Sequence, residues 1–307
     1  MKGAVCRMLI AEDKNYDKQS KSIREIVNRA IAAWDIKSYK YDLIKNRENC
    51  VFCVTTPEGN KNALRIHRYG YHSNTAVKSE LNWLSALHSS GIAVPKVVPT
   101  EEGNAFTTVI FDGEAYPRQV DMISWLPGKP LGSIEQGLNP KIRDIGETFF
   151  EVGRTVAKLH NHASIWQPPK EFMRHSWDID GLTGDTPLWG KFWEFPGLNK
   201  SQKSLLKRAR NTSRIHLNEV GQSDDVFGLI HADCNLDNLL LNNGNVMVID
   251  FDDCGFGWHL FDLSTISILF HNTEYFDVIW NGVIRGYRME RTLSDRALQL
   301  MPLFFLK

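Results

Sequence analysis

Apolar residues recur at helical spacing early in the chain, at Ile23, Ile26, Val27, Ala30, Ala33 and Trp34, and predict a helix over residues 22–36. Ser22 is its expected N-cap, with Glu25 three residues on completing a capping box. The pattern then turns β-rich. Residues 49–55 and 62–67 flank a Pro57-Glu58-Gly59-Asn60 turn and predict an antiparallel hairpin. Val77, Leu81, Leu84 and Leu87 mark a helix over 75–88, stopped near Gly91, and three further strands are expected over 94–98, 106–111 and 119–125. Pro127-Gly128-Lys129-Pro130 is a sharp break, and beyond it the periodicity is helical. Ile145, Phe149, Val152, Val156 and Leu159 predict a helix over 143–162. A loop rich in Trp, Pro and Gly covers 166–197, a charged helix 200–220, and a strand–loop–strand stretch 227–230 and 246–251, with helices to the end.

This order predicts an α+β chain in two lobes: a tail over 1–21, a small lobe with an antiparallel sheet over 22–126, and a mostly helical lobe over 127–307. The length of 307 residues agrees, at roughly 150 residues per domain. The 36 basic residues balance 36 acidic ones, which argues against a duplex-DNA partner but leaves room for a local phosphate site. No apolar run approaches the roughly 18 residues that span a bilayer, and the first 20 residues are too polar for a secretory signal. Five scattered cysteines favour free thiols in a reducing cytoplasm.

One stretch concentrates chemistry. His231, Asp233 and Asn238 are spaced H-x-D-x-x-x-x-N, and Asp250 follows twelve residues later, after an apolar strand. Phosphoryl transfer from ATP to a hydroxyl requires a carboxylate to accept the hydroxyl proton, and an Asn and an Asp to hold Mg²⁺ against the phosphates. A short loop followed by a returning hairpin brings the three together. Oxygen-only ligands suit Mg²⁺.

At these residues the chain resembles the aminoglycoside phosphotransferase and choline kinase-like family, relatives of the protein kinases. His231-Ala232-Asp233, Asn238, Ile249-Asp250-Phe251 and Phe261-Asp262-Leu263 match its signature, and the likeness extends over residues 22–292. It looks nearest to the branch holding type II homoserine kinases and bacterial stress-response kinases. The resemblance implies a two-lobe protein-kinase-like fold that uses ATP and Mg²⁺. It implies Asp233 as catalytic base, Asn238 and Asp250 as Mg²⁺ ligands, His231 as a brace and Asp262 as the group that holds the loop. In the small lobe, Ala63-Leu64-Arg65 stands where kinases carry Ala-Ile-Lys, and Glu80 would pair with Arg65. Asn49 would lie in the phosphate-covering turn, and residues 121–126, with Ile123 and Trp125, would form the hinge at the adenine edge. Ala157-Lys158-Leu159-His160 resembles a family helix motif.

There are departures. Arg65 replaces Lys and carries the charge on a planar fork. No G-x-G-x-x-G is present, and Asn46-Arg47-Glu48-Asn49 occupies the turn. Ala232 replaces a Gly, and Asn235-Leu236-Asp237 replaces the common His-Pro-Gly. The share left for the second lobe is short for the family.

Other candidates read as ordinary structure. Cys50 and Cys53 form a single C-x-x-C on a strand, where positions i and i+3 face opposite sides, so core packing is expected rather than zinc. His160 and His162 are assigned no chemistry, Cys234 reads as a packed loop thiol, and the Trp189–Trp193 cluster reads as packing. Asp252 is either a second metal-site carboxylate or a turn residue, and Asp253 is expected to have no role. Asp178, Asp180, Asp185 and Glu194 either attract an amine-bearing substrate or are solvated. The apolar run over 301–306 marks a packed or a dimerising surface. The expected activity is transfer of the γ-phosphoryl group of ATP to a hydroxyl of a small molecule (an amino alcohol, a sugar or an aminoglycoside-like antibiotic), with no nucleic-acid or membrane partner. A Ser/Thr protein kinase and a non-catalytic nucleotide-binding module are the rivals.

Overall fold

The computed structural model describes residues 16–47 and 49–305. Two compact units are present, one of residues 16–88, 95–126 and 169–173, the other of residues 89–94, 127–168 and 174–305.

The first unit contains α1 (Tyr16–Ile31), β1 (Lys40–Asn46), β2 (Cys50–Thr55), β3 (Lys61–Ile66), α2 (Asn74–Ser89), β4 (Phe106–Val109) and β5 (Arg118–Ser124). Its strands form one antiparallel sheet in the order β1-β2-β3-β5-β4. One face is apolar: Val27, Ala30 and Trp34 bury against Phe52, Leu64, Ile66, Val120 and Met122. The period of two along β3 puts Ala63 and Arg65 on the other face.

The first helix differs from expectation at both ends. It begins at Tyr16, so Ser22 lies inside it and cannot cap it, and residues 16–21 are helix rather than tail; residues 1–15 lie outside the described residues. It ends at Ile31 because the chain then turns to place the Trp34 indole N–H 2.9 Å from the Val98 carbonyl. Residues 94–98 form a single bridge, Val97 to Ile123, instead of a strand, and Pro95 has no N–H to extend it.

The second unit contains β6 (Lys129–Pro130), β7 (Gly132–Ser133), β8 (Gly137–Leu138), α3 (Ile145–Ile165), β9 (Ser176–Trp177), α4 (Ile179–Thr183), α5 (Lys200–Val220), β10 (Phe227–Ile230), β11 (Leu239–Asn242), β12 (Asn245–Val248), β13 (Gly255–Trp258), α6 (His259–Ser267), α7 (Phe276–Glu290) and α8 (Asp295–Leu298). The short strands form the ribbons β12-β11-β6, β10-β13-β9 and β7-β8. Asp144 caps α3, accepting the Glu147 N–H at 2.9 Å, and α3 packs along α7. Two strand expectations change. β12 stops at Val248, because Asp250 adopts a φ of 65°, and β13 is a strand where helix was expected. Its Gly-Phe-Gly-Trp sequence hides it from a propensity reading.

Several ambiguities resolve. Cys50 and Cys53 are buried free thiols, and burial pushes Cys50 up to about 12. Cys234 is fully buried. Asp178 caps α4, while Asp180 and Asp185 form solvent-exposed pairs with Arg214 and Arg210 of α5 at 3.2 and 2.8 Å, in line with the solvated reading of these two acids. Trp193 is buried beneath the Arg210 guanidinium, 4.1 Å from its ring centre. Met301 and Phe304 bury into the second unit, with Phe304 against Trp258. Among the described residues no helix is long and apolar enough to cross a membrane.

Candidate active site

In the second unit a tight loop connects β10 to β11 and carries His231, Asp233 and Asn238. Asp262, in the first turn of α6 and without exposed surface, straps this loop from below. Its Oδ2 accepts the His231 N–H at 2.9 Å, and its Oδ1 accepts the Ala232 N–H at 2.6 Å. Ala232 consequently takes a φ of 69°, in the left-handed region that favours glycine. Burial pushes the Asp262 carboxyl up, but the His160 hydrogen bond and the neighbouring His231 outweigh it and hold it below the ordinary carboxylate range.

His231 accepts the Asp233 N–H on Nδ1 at 3.2 Å, so its proton sits on Nε2 and is donated to the Ile249 carbonyl at 2.9 Å. One ring thus ties the loop to the segment that carries Asp250. The Ile249 N–H in turn donates to the Asn238 carbonyl at 3.0 Å, which brings Asp250 back beside Asn238.

The Asp233 carboxylate is half-buried and held by two amides. Asn238 Nδ2 donates to its Oδ2 at 2.8 Å and to its backbone carbonyl at 2.9 Å; Asn235 Nδ2 lies 2.9 and 3.0 Å from its two oxygens. With its nitrogen fixed on Asp233, Asn238 presents Oδ1 as its remaining ligand atom. Asn238 Oδ1 and the Asp250 carboxylate are hard oxygen donors, which suits a divalent cation that completes its shell with phosphate and water. Among the described residues no group of three or more His, Cys, Asp or Glu side chains could hold a metal without such help.

In the first unit Arg65 is buried with 4% of its surface exposed. Its Nη2 lies 2.9 Å from Glu80 Oε1 of α2, and Nε and Nη2 reach Asp121 Oδ1 and Oδ2 of β5 at 2.8 and 2.9 Å. His67 Nε2 stands 2.5 Å from the same Asp121 Oδ2. Burial alone would raise the Asp121 carboxyl, but Arg65 and His67 outweigh it and hold it below its usual range. Ile123 is paired with Ala63 in the ladder, the exposed Trp125 donates its N–H to Lys61 O at 3.1 Å, and Ser124 donates to Lys96 O at 2.7 Å. The Leu126 N–H makes no hydrogen bond among the described residues. Asn49 is buried, and its Oδ1 accepts the Arg68 N–H at 3.0 Å; Glu48 lies outside the described residues.

Four participants escaped the sequence reading. Asp121 and His67 join Arg65, and the signal for His67 was its position two residues beyond Arg65 on the same strand face. Asn235 joins Asp233. Tyr287 supports His160: burial raises the Tyr287 hydroxyl, so it keeps its proton and donates to His160 Nδ1 at 2.9 Å, while His160 Nε2–H donates to Asp262 at 3.0 Å. His160, expected to be a buried, hydrogen-bonded helix residue with no chemistry of its own, is a link in the strap beneath the loop. The backbone carbonyls of Asp252 and Asp253 accept hydrogen bonds, from Arg174 and, at 2.9 Å, from the Trp177 indole N–H.

A model of the phosphotransferase enzyme family matches residues 43–292. The solved structure of a microcompartment-associated aminopropanol kinase is 34% identical and covers 92% of this chain and 85% of its own, with a TM-score of 0.79. An amicoumacin kinase of Bacillus subtilis (strain 168) is 24% identical over 284 residues, 88% of this chain and 74% of that protein. The solved complex of an amicoumacin kinase with AMP-PNP and Ca²⁺ is 20% identical, covers 95% of this chain and 85% of its own, and shares the fold with a TM-score of 0.75. The family match spans both units, and with the aminopropanol kinase likeness it establishes that this chain belongs to the phosphotransferase enzyme family, as an ATP-dependent kinase that phosphorylates a hydroxyl of a small molecule.

Proposed function

We propose that the chain transfers the γ-phosphoryl group of MgATP to the hydroxyl of a small amino alcohol. The observation that carries the mechanism is the Asp233 carboxylate, fixed by amide donors on a loop strapped to Asp262. Asp233 accepts the acceptor's hydroxyl proton as the new oxygen–phosphorus bond forms and the bond from Pγ to the β–γ bridging oxygen breaks, releasing ADP. Asn238 Oδ1 and Asp250 would hold Mg²⁺, which would supply charge neutralisation for the phosphates. Residues 22–126 bind the nucleotide and residues 127–307 carry the base and the acceptor. Arg65, held by Glu80 and Asp121, positions phosphate, and the amide of Asn49 supplies a further donor. With the Ser124 and Trp125 N–H groups committed, the Leu126 N–H is the hinge donor that would meet the adenine edge, flanked by Ile123 and Trp125.

The acceptor class rests on the 34% likeness to an aminopropanol kinase. Homoserine is also an amino alcohol, so the branch of type II homoserine kinases is retained only at that level. The buried free thiols fit a cytoplasmic enzyme. ATP consumption by the purified protein with Mg²⁺ should respond to aminopropanol, ethanolamine or homoserine above sugars, aminoglycosides and amicoumacin. Asp233→Ala should abolish turnover while nucleotide binding survives, and Asp250→Ala should abolish Mg²⁺-dependent nucleotide binding. Turnover by Asp233→Ala at the wild-type rate would overturn the mechanism, and a response confined to a protein or antibiotic acceptor would overturn the substrate class.

A further inference from the structure

A base that takes a proton from a hydroxyl must present one oxygen in a fixed direction, yet the terminal torsion of an aspartate is broad and roughly two-fold. Asn238 restrains only Oδ2 of Asp233, at 2.8 Å. Asn235 is different. Its Nδ2 straddles the carboxylate at 2.9 and 3.0 Å, so rotation about the Cβ–Cγ bond breaks at least one contact. The amide cannot be turned round, because its Oδ1 accepts the Asp237 N–H at 2.9 Å while its other end faces an acceptor-only carboxylate. Asn235 is itself anchored, with 9% of its surface exposed and its backbone N–H on Asp233 O at 2.8 Å.

We infer that Asn235 is a positioning residue for phosphoryl transfer: its oxygen shapes the loop, and its nitrogen sets the orientation of the Asp233 carboxylate. The inference rests on Asp233 being the base. It assigns a task to the position where the resembled family commonly carries histidine. The two ends of the side chain are separable by substitution. Asn235→Asp keeps the oxygen that accepts from Asp237 but replaces the donor with a second carboxylate oxygen beside Asp233. Asn235→Ala loses both.

The test is steady-state kinetics of the full-length wild type, Asn235→Asp, Asn235→Ala and Asp233→Ala with aminopropanol as acceptor. Nucleotide affinity is measured on the same preparations as the check of folding. Asn235→Asp should lower kcat about 100-fold, and more than Asn235→Ala, with the KM for ATP held within about twofold. A purely loop-shaping residue gives the reverse order, with Asn235→Asp near wild type and Asn235→Ala worse, and that result overturns the inference. If Asp233→Ala is inactive while Asn235→Asp turns over normally, only the role of Asn235 falls. If Asp233→Ala is active, the reading of the base falls with it.

Discussion

Asp121 faces Arg65 across the ladder between β3 and β5 and grips its guanidinium at two points, Oδ1 on Nε at 2.8 Å and Oδ2 on Nη2 at 2.9 Å. Glu80 takes the same Nη2 from the helix side at 2.9 Å. One cation therefore bridges two buried carboxylates on different elements. A planar fork accomplishes this, whereas a lysine ammonium is a point charge on a flexible stem. The arginine that departs from the usual kinase lysine is thus matched by an aspartate on the neighbouring strand.

Arg65→Lys should leave one of the two buried carboxylates poorly compensated. The expected cost is about 3 kcal/mol of stability, with the KM for ATP rising about tenfold. In an Asp121→Asn background the same substitution should cost much less, because the second carboxylate is gone. Urea unfolding and ATP titration of the four proteins in this cycle measure the coupling. Additive effects would show that Asp121 and Arg65 act independently.

The paired imidazoles beneath the His231–Asn238 loop give stability a pH dependence. His259 stacks on His160 at 4.5 Å, and burial, helped by His160 and Arg291 and opposed by the bond to the Asp225 carbonyl, pulls it down to about 2. His160 is also lowered, by burial that outweighs its bond to Asp262. The folded state keeps both rings neutral, while in the unfolded chain each takes a proton as pH falls through about 6.5. Stability is full above that pH and is lost below it, at up to about 1.4 kcal/mol per pH unit for each ring. Tm should fall from pH 7 to pH 5. In His259→Asn, which keeps a donor for Asp225, the slope should be shallower; an unchanged slope would remove His259 from the account.

Ala232 tests the backbone of the loop that carries His231, Asp233 and Asn238. An L-residue in the left-handed region costs about 1–2 kcal/mol, against about 0.5–1 kcal/mol for the extra chain entropy of glycine. Ala232→Gly should hold or raise stability by about 0.5 kcal/mol and keep kcat, since the N–H to Asp262 is untouched. Ala232→Val places a branched side chain at the same φ in a site with 1% exposure, and should lower both Tm and kcat. Equal behaviour of the two variants would mean that the loop does not require this backbone.

The loop over 231–238 was legible because its signal is local: His231, Asp233 and Asn238 lie within eight residues, and the hairpin that returns Asp250 is short. The pairing of Arg65 with Glu80 was legible through the resemblance, in which Ala63-Leu64-Arg65 stands where kinases carry Ala-Ile-Lys; strand alternation adds only that Ala63 and Arg65 share a face. Asp121 was not, because it meets Arg65 through a strand pairing 56 residues away whose register no short pattern specifies. Asn235 was visible only as a missing histidine. The start of α1 was hidden because its first turns are polar and add nothing to the apolar stripe, and β13 because two of its four residues are glycine.

The close packing of α3 on α7 depends on glycines, and there the crowding can be separated from helix propensity. A Cβ built on Gly286 would stand 1.8 Å from the Phe150 carbonyl oxygen, and one on Gly153 would stand 2.0 Å from that of Val283. Both obstacles are backbone, so the helices would have to move apart. Gly146, in the first turn of α3, is the control, since a Cβ there meets only ordinary contact with Val278 at 3.4 Å. Propensity alone favours alanine over glycine by about 0.5–1 kcal/mol at the interior positions 153 and 286, and by no more than that at Gly146 in the first turn. Gly146→Ala should therefore be neutral or stabilising, whereas Gly286→Ala and Gly153→Ala should each lose about 3 kcal/mol as overpacking outweighs that gain. Because α3 also carries His160 and α7 carries Tyr287, separating the helices should loosen the strap under Asp262 and lower kcat in parallel. Urea unfolding and turnover of the three variants decide the matter: Gly286→Ala as stable as Gly146→Ala would show that the two helices are not held at this distance.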